Sequence, residues 1–170
     1  MTEGRPQGAP LRFTLPTADD TRALGRALAD LLAPGDLVVL TGPLGAGKTV
    51  LVQGLGAGLG IGSPVTSPTF VIARVHRDGR LPLVHADAYR LASVAEVDDL
   101  DLDADSAESV TVVEWGSGLV ERLADAHLEV RLDRAGAGDT RTAELVPRGG
   151  TWPARLARLA AVAAPARSRS

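Results

Sequence analysis

Residues 40–50 read LTGPLGAGKTV, and no other stretch limits the fold so sharply. Gly42, Gly47, Lys48 and Thr49 occupy every fixed position of the phosphate-loop template Gly-x-x-x-x-Gly-Lys-Thr, with Gly45 as a further glycine between them. Such a loop brings its backbone N–H groups together on an anion only when a buried strand feeds it and a helix leaves it. DLVVLTG is that strand and KTVLVQGLGAGLG that helix. The motif therefore commits the chain to an α/β sheet and to a nucleotide. It does not say whether the nucleotide serves a kinase, a motor, a GTPase switch or a pump.

The rest of the chain can be read around this unit. LRFTL is a short strand. Asp19 and Asp20 open a helix with Leu24, Leu28, Leu31 and Leu32 on one face, stopped by Pro34-Gly35. FVIARVHR and RLPLVHAD flank Asp78-Gly79, a two-residue turn pair that favours a hairpin. Ser93 and Glu96 have capping-box spacing for a short helix, and SVTVVEW is a buried strand. HLEVRLDR and TRTAELVPR alternate as a second hairpin, and a last helix from about Thr151 carries Trp152, Leu156, Leu159 and Val162 on one stripe. The expectation is a three-layer α/β fold of the P-loop NTPase type, with a central sheet mixed parallel and antiparallel. Residues 11–163 form its single domain, with 1–10 and 164–170 as flexible ends.

Composition narrows the function. The net charge of −3 argues against a dedicated nucleic-acid surface, so any role for RNA is indirect. The chain has no cysteine, which removes thiolate chemistry and Cys-ligated zinc and favours a reducing cytoplasm. No apolar stretch reaches the ~20 residues of a membrane span, and MTEGRPQGAP lacks an apolar leader core. Of the 18 basic residues, Lys48 is the only lysine. Arginine serves wherever charge alone suffices, and the compact ammonium is kept where a planar guanidinium is too broad for a backbone cradle.

The remaining candidates follow from what a phosphate loop needs. Lys48 reaches the terminal phosphates and the Thr49 hydroxyl can ligate Mg²⁺. A carboxylate at the end of a neighbouring strand should hold the metal or its water shell, and Asp87 and Glu114 both end apolar runs. Ser67 and Thr69 in VTSPTF carry hydroxyls suited to a switch at the γ-phosphate, and Phe70, Tyr89 and Trp115 each lie in or beside these segments. His85 stands two residues before Asp87, on the same face of a regular strand. The acidic run 96–108 fails as a calcium loop, because its glycine position is Ser106 and its bidentate position is Val112. Guanine selection by Asn-Lys-x-Asp is excluded in a chain without asparagine, leaving adenine as the base. An ATPase, a small-molecule kinase and an ATP-sensing binding module remain open from the residues themselves.

GPLGAGKT, SPTF, HADAYRL and VEWG occur in the order and at roughly the spacing of the bacterial TsaE (YjeE) family, which the chain resembles over about residues 11–160. The resemblance implies the ATPase component of tRNA threonylcarbamoyladenosine synthesis, cytoplasmic, weakly active alone and dependent on the partner subunits TsaB and TsaD. TsaD would perform the transfer to tRNA. Gly45, Ala46, Gly47, Lys48, Thr49 and Val50 would then wrap the phosphates, with Lys48, Asp87 and Glu114 as catalytic groups. Thr49 and Glu114 resemble magnesium ligands, Asp87 an acid of the metal shell or of the attacking water, and Ser67 and Thr69 a switch. Trp115 would form part of the site or partner surface. Thr17 and Ala18 resemble the portion near adenine, and the Gly-rich turn from Gly136 to Arg141 would close over the base. Phe70 stands where the family usually has Tyr, which removes a hydroxyl.

Overall fold

A computed structural model describes residues 9–43, 45–62, 64–65, 73–87, 108–114, 126–136 and 138–162. Seven strands form one sheet: β1 (Leu11–Leu15), β2 (Leu37–Thr41), β3 (Ala73–His76), β4 (Leu83–Asp87), β5 (Val110–Glu114), β6 (His127–Arg134) and β7 (Arg141–Arg148). Their spatial order is β1-β7-β6-β2-β5-β4-β3. Strand β2 lies at the centre, parallel to both β5 and β6, and β4 continues the parallel set beside β5. The edges are antiparallel, β1 on β7 and β3 on β4, and β6 and β7 form a hairpin. The expected mixed sheet is therefore present.

Position in this order explains composition. Strand β2 has neighbours on both sides and both faces covered, so LVVL is apolar without a break. In β6, Leu128, Val130 and Leu132 enter the core while Glu129, Arg131 and Asp133 take the alternate positions. Among the described residues, three helices pack on the first of these faces: α1 (Ala18–Ala29), α2 (Lys48–Gly58) and α3 (Trp152–Val162). Their Leu24, Leu28, Leu51, Leu55, Trp152 and Leu156 join Phe13, Leu40, Val112 and Val130 in one core. On the other face Leu37, Val39, Val84, Ala86 and Val113 are equally buried, the pattern of a sheet covered on both sides.

Helices α1 and α2 meet along a seam of glycines. A Cβ at Gly54 would overlap the Arg22 carbonyl, and one at Gly25 would overlap the Leu51 carbonyl. The two backbones touch where side chains would hold them apart. Helix α3 is tied to the start of β2 by Arg155, which pairs with Asp36, donates to the Leu31 carbonyl at 3.3 Å and stacks on Trp152 with 4.4 Å to the ring centroid.

Two expectations differ in detail. Helix α1 closes at Ala29, ahead of Pro34, and the chain continues with Leu31 and Leu32 bonded to the Leu28 and Ala29 carbonyls, so the leucine stripe persists through a tighter turn. The β3–β4 hairpin has six connecting residues, 77–82, in place of a two-residue turn. Asp78 accepts from the Gly62 N–H at 2.8 Å, and Gly79 lies against Leu59 and Ile61 so closely that a Cβ would come within 2.7 Å of the Ile61 side chain. The turn pair serves to dock the hairpin on the end of α2. The Ser93–Glu96 helix lies outside the described residues.

Candidate functional site

Because β2, β4, β5 and β6 run the same way, their carboxyl ends share one edge of the sheet, where open α/β sheets take their ligands. The glycine-rich loop leaves β2 at this edge. At Gly42 φ is +146°, and a Cβ would overlap the carbonyl of Leu132 on β6, so the loop turns where only glycine fits. Ala46 is fully buried, Gly47 has φ +100°, and Lys48, 5% exposed, is the first residue of α2. The Lys48 ammonium donates to the carbonyls of Gly42 at 2.8 Å and Pro43 at 3.0 Å, which holds the charge inside the loop. No side chain caps the first turn of α2, which contains no acid. A helix start without a side-chain cap, the helix dipole and a buried ammonium together favour an anion.

The start of α1 lies alongside. Thr17 is its N-cap: the hydroxyl accepts from the Asp20 N–H at 3.2 Å and donates to the Asp20 carboxylate at 2.8 Å, while the Thr17 N–H donates to the same carboxylate at 2.9 Å. Ala18 is the first helical residue, and Thr21 Cγ2 lies 3.8 Å from where a Cβ on Gly47 would stand. Thr17 and Ala18 are thus beside the loop.

The two strand-end acids are brought together. Asp87 and Glu114 are register partners on β4 and β5, and Glu114 is also the partner of Leu40, one residue before the end of β2. Leu40 and Val112 belong to the core under α2, so Glu114 faces the layer that carries Lys48 and Thr49. Glu114 is 4% exposed, and its Oε2 accepts a 2.6 Å hydrogen bond from Nε2 of the fully buried His85. The Thr49 hydroxyl and the Glu114 carboxylate carry hard oxygens of the kind Mg²⁺ prefers. Among the described residues no group of three or more His, Cys, Asp or Glu side chains forms a metal cluster. Ser67, Thr69 and Trp115 lie outside the described residues.

Two arginines lie at this edge: Arg134, which sequence reasoning missed, and Arg141, which it named only as the end of the Gly-rich turn. Arg134 and Arg141 are cross-strand partners at the end of the β6–β7 hairpin. Arg141 donates through Nε to the Gly45 carbonyl at 3.1 Å and through Nη1 to those of Gly138 at 2.9 Å and Thr140 at 3.2 Å. The Arg134 guanidinium comes within 3.9 Å of a Cβ position on Gly45. The Gly136–Arg141 turn therefore abuts the glycine-rich loop. No spacing rule marks these arginines, since Arg141 and Gly45 are 96 residues apart. The His85–Glu114 bond was missed too, although the shared face of His85 and Asp87 was the available signal.

The family model for "Threonylcarbamoyl adenosine biosynthesis protein TsaE" matches residues 15–143. A protein of that name from Streptomyces coelicolor is 61% identical over 123 residues, covering 70% of this chain and 82% of its own. The Mycobacterium tuberculosis one is 51% identical over 139 residues, covering 76% and 83%. A crystal structure of YdiB from Bacillus subtilis superposes with a TM-score of 0.76 at 30% identity, over 91% of this chain and 96% of that one. No helix among the described residues is long and apolar enough to cross a membrane.

Proposed function

This chain belongs to the TsaE family of tRNA threonylcarbamoyladenosine biosynthesis, and on that premise we infer that it is a P-loop ATPase whose hydrolysis of Mg-ATP drives or resets the complex that forms the modified base. The observation that carries this reading is the uncapped, lysine-bearing start of α2 facing the same layer as the buried acid Glu114. The N–H groups of Gly45, Ala46, Gly47, Lys48, Thr49 and Val50 bind the phosphates, and the Lys48 ammonium neutralises the terminal ones. Thr49 and Glu114 would hold Mg²⁺, which screens the charge that builds on the phosphate oxygens. Asp87, at the register position beside Glu114, orients the attacking water. The water oxygen bonds to the γ-phosphorus as the bond to the β–γ bridging oxygen breaks, giving ADP and phosphate. Thr17 and Ala18 lie on the adenine side, Ser67 and Thr69 act as the switch, and Trp115 lines the site or the partner surface.

The partners in this reading are TsaB and TsaD, with tRNA reached through them, in the cytoplasm. Neither Arg134 nor Arg141 belongs to a recognised finger motif, and a supplied finger is worth about 10³–10⁵ in phosphoryl-transfer rate, so the chain alone is a slow enzyme. The test is reconstitution of threonylcarbamoyladenosine formation from threonine, bicarbonate, ATP and tRNA with the companion proteins, with this chain added, omitted or replaced by Lys48→Ala. Sustained cycles are expected only when the active chain is present. Equal product without it, or efficient phosphorylation of a metabolite by the isolated chain, would replace the reset role with a kinase.

A further inference from the structure

We propose that His85 is a positioning residue of this site, one that acts on hydrolysis through the Glu114 carboxylate. The inference rests on the reading of the glycine-rich loop and Glu114 as a Mg-ATP site.

The register makes the contact. His85 is the partner of Val112 and Asp87 the partner of Glu114, so His85 lies one same-face step below the acid on the adjacent parallel strand. From there its ring reaches diagonally to Glu114 Oε2 at 2.6 Å, a charge-assisted distance for Nε2–H donating to a carboxylate. On this face of the sheet their neighbours include Leu83, Val110, Val112 and Leu40, and His85 is fully buried and Glu114 4% exposed. Apolar residues at both 85 and 114 would stabilise this part of the sheet at least as well. The chain instead places a donor under an acid, at the end of the strand next to the loop.

What the donor does is geometric. The terminal torsion of a glutamate is broad and nearly two-fold, so an unheld carboxylate samples many orientations. Fixing Oε2 sets the plane of the group and with it the direction of Oε1. A liganding or water-orienting oxygen has to be held to within ~0.5 Å of its productive place, and outer-shell partners that do this are worth about 10–100-fold in metal affinity or activity. A histidine that merely satisfied a buried structural acid would affect stability and leave the magnesium dependence alone.

The experiment uses the full chain with the single variants His85→Leu, His85→Gln, His85→Asn and Glu114→Gln, and with Glu114→Gln combined in turn with His85→Leu and with His85→Gln. The readouts are ATP hydrolysis against Mg²⁺ concentration, binding of a fluorescent ATP analogue with Mg²⁺ or EDTA, and melting temperature. His85→Leu is expected to lose about 10–100-fold in kcat or in apparent Mg²⁺ affinity. Its binding of the analogue in EDTA should stay within about twofold, because the cradle is separate from this pair. The Gln amide nitrogen reaches the place of Nε2 and the Asn nitrogen that of Nδ1, so His85→Gln should recover most of the loss and His85→Asn should not. In the Glu114→Gln background, replacing His85 should add no further change to Mg²⁺-dependent binding. Should His85→Leu fail to fold, the Gln and Asn variants decide. Equal behaviour of Gln and Asn, unchanged magnesium dependence, or fully additive losses with Glu114→Gln would overturn the proposal while wild-type hydrolysis stands. A wild-type chain that binds no ATP would overturn the Mg-ATP reading and this inference together.

Discussion

Helices α1 and α2 start side by side and answer the same physical problem in opposite ways. Every helix start leaves backbone N–H groups without helical partners. At α1 the chain supplies them: Thr17 and Asp20 close a reciprocal box, and Asp19 and Asp20 place negative charge against the dipole. At α2 it supplies neither cap nor acid, and adds a lysine whose charge opposes the dipole. The first start is complete as a piece of structure. The second becomes electrostatically balanced when an anion sits on it, and this difference, more than the glycine content of the loop, separates a ligand site from a turn.

The strongest way to break that contrast is Lys48→Ala. Loss of one well-placed electrostatic group costs roughly 10²–10³ in rate, so phosphate release should fall by that factor while the melting temperature stays near wild type. Activity within twofold would mean the ammonium is structural. Next comes ligand stabilisation: Mg-ATP at about 100 times its Kd should stabilise the chain by about 2.7 kcal/mol. Thermal melts should show this shift, reduced for Lys48→Ala and smaller with GTP than with ATP at equal concentration. Asp20→Ala opens the closed start and should cost about 0.5–1.5 kcal/mol in denaturant unfolding, with a loss of ATP affinity much smaller than that of Lys48→Ala, since it loosens only Thr17 on the adenine side. A loss as large as that of Lys48→Ala would mean that the closed start is itself part of the phosphate site.

The smallest effect belongs to neither start and gives their baseline. On β6 and β7, with Arg12 of β1 at the edge, Arg12, Glu144, Arg131, Glu129 and Arg148 form a ladder of ion pairs at 2.8–3.3 Å. Burial pushes Glu129 up, but hydrogen bonds and charge from Arg131 and Arg148 outweigh it and hold its carboxyl below the ordinary value of 4.5. A lowered value in the folded state gives stability that is present above the unfolded value and disappears as pH falls through the folded one. Melting temperature should therefore drop on acidification below about pH 4.5, with a shallower slope for Glu129→Gln, the difference being about 1 kcal/mol, since Glu129 is buried but its arginine partners are solvent-screened.

Much of this molecule could be read before it was seen. The apolar run before Gly42 and the helix after Thr49 fixed the loop in its setting, because each is a local pattern that tertiary packing reinforces. The acids at the ends of β4 and β5 were legible as strand ends, yet their adjacency depended on strand order, which no local pattern carries. Asp78-Gly79 marked a hairpin that is present, but tertiary contacts to Gly62, Leu59 and Ile61 lengthen its connection beyond two residues. The Gly136–Arg141 turn and the shared face of His85 and Asp87 were legible, but the Arg141–Gly45 and His85–Glu114 bonds were not, since each joins elements distant in sequence through a register that appears only when the sheet is assembled.

The glycine seam between α1 and α2 has a mechanical meaning. Side chains between two helices act as a cushion, since rotamers can adjust while the axes shift. Where the carbonyl of Arg22 faces Gly54 and that of Leu51 faces Gly25, no such cushion exists. The pair should therefore move as one carriage, with the glycine-rich loop at its front, and a push on α1 is expected to reach Gly47 and Lys48 little diminished.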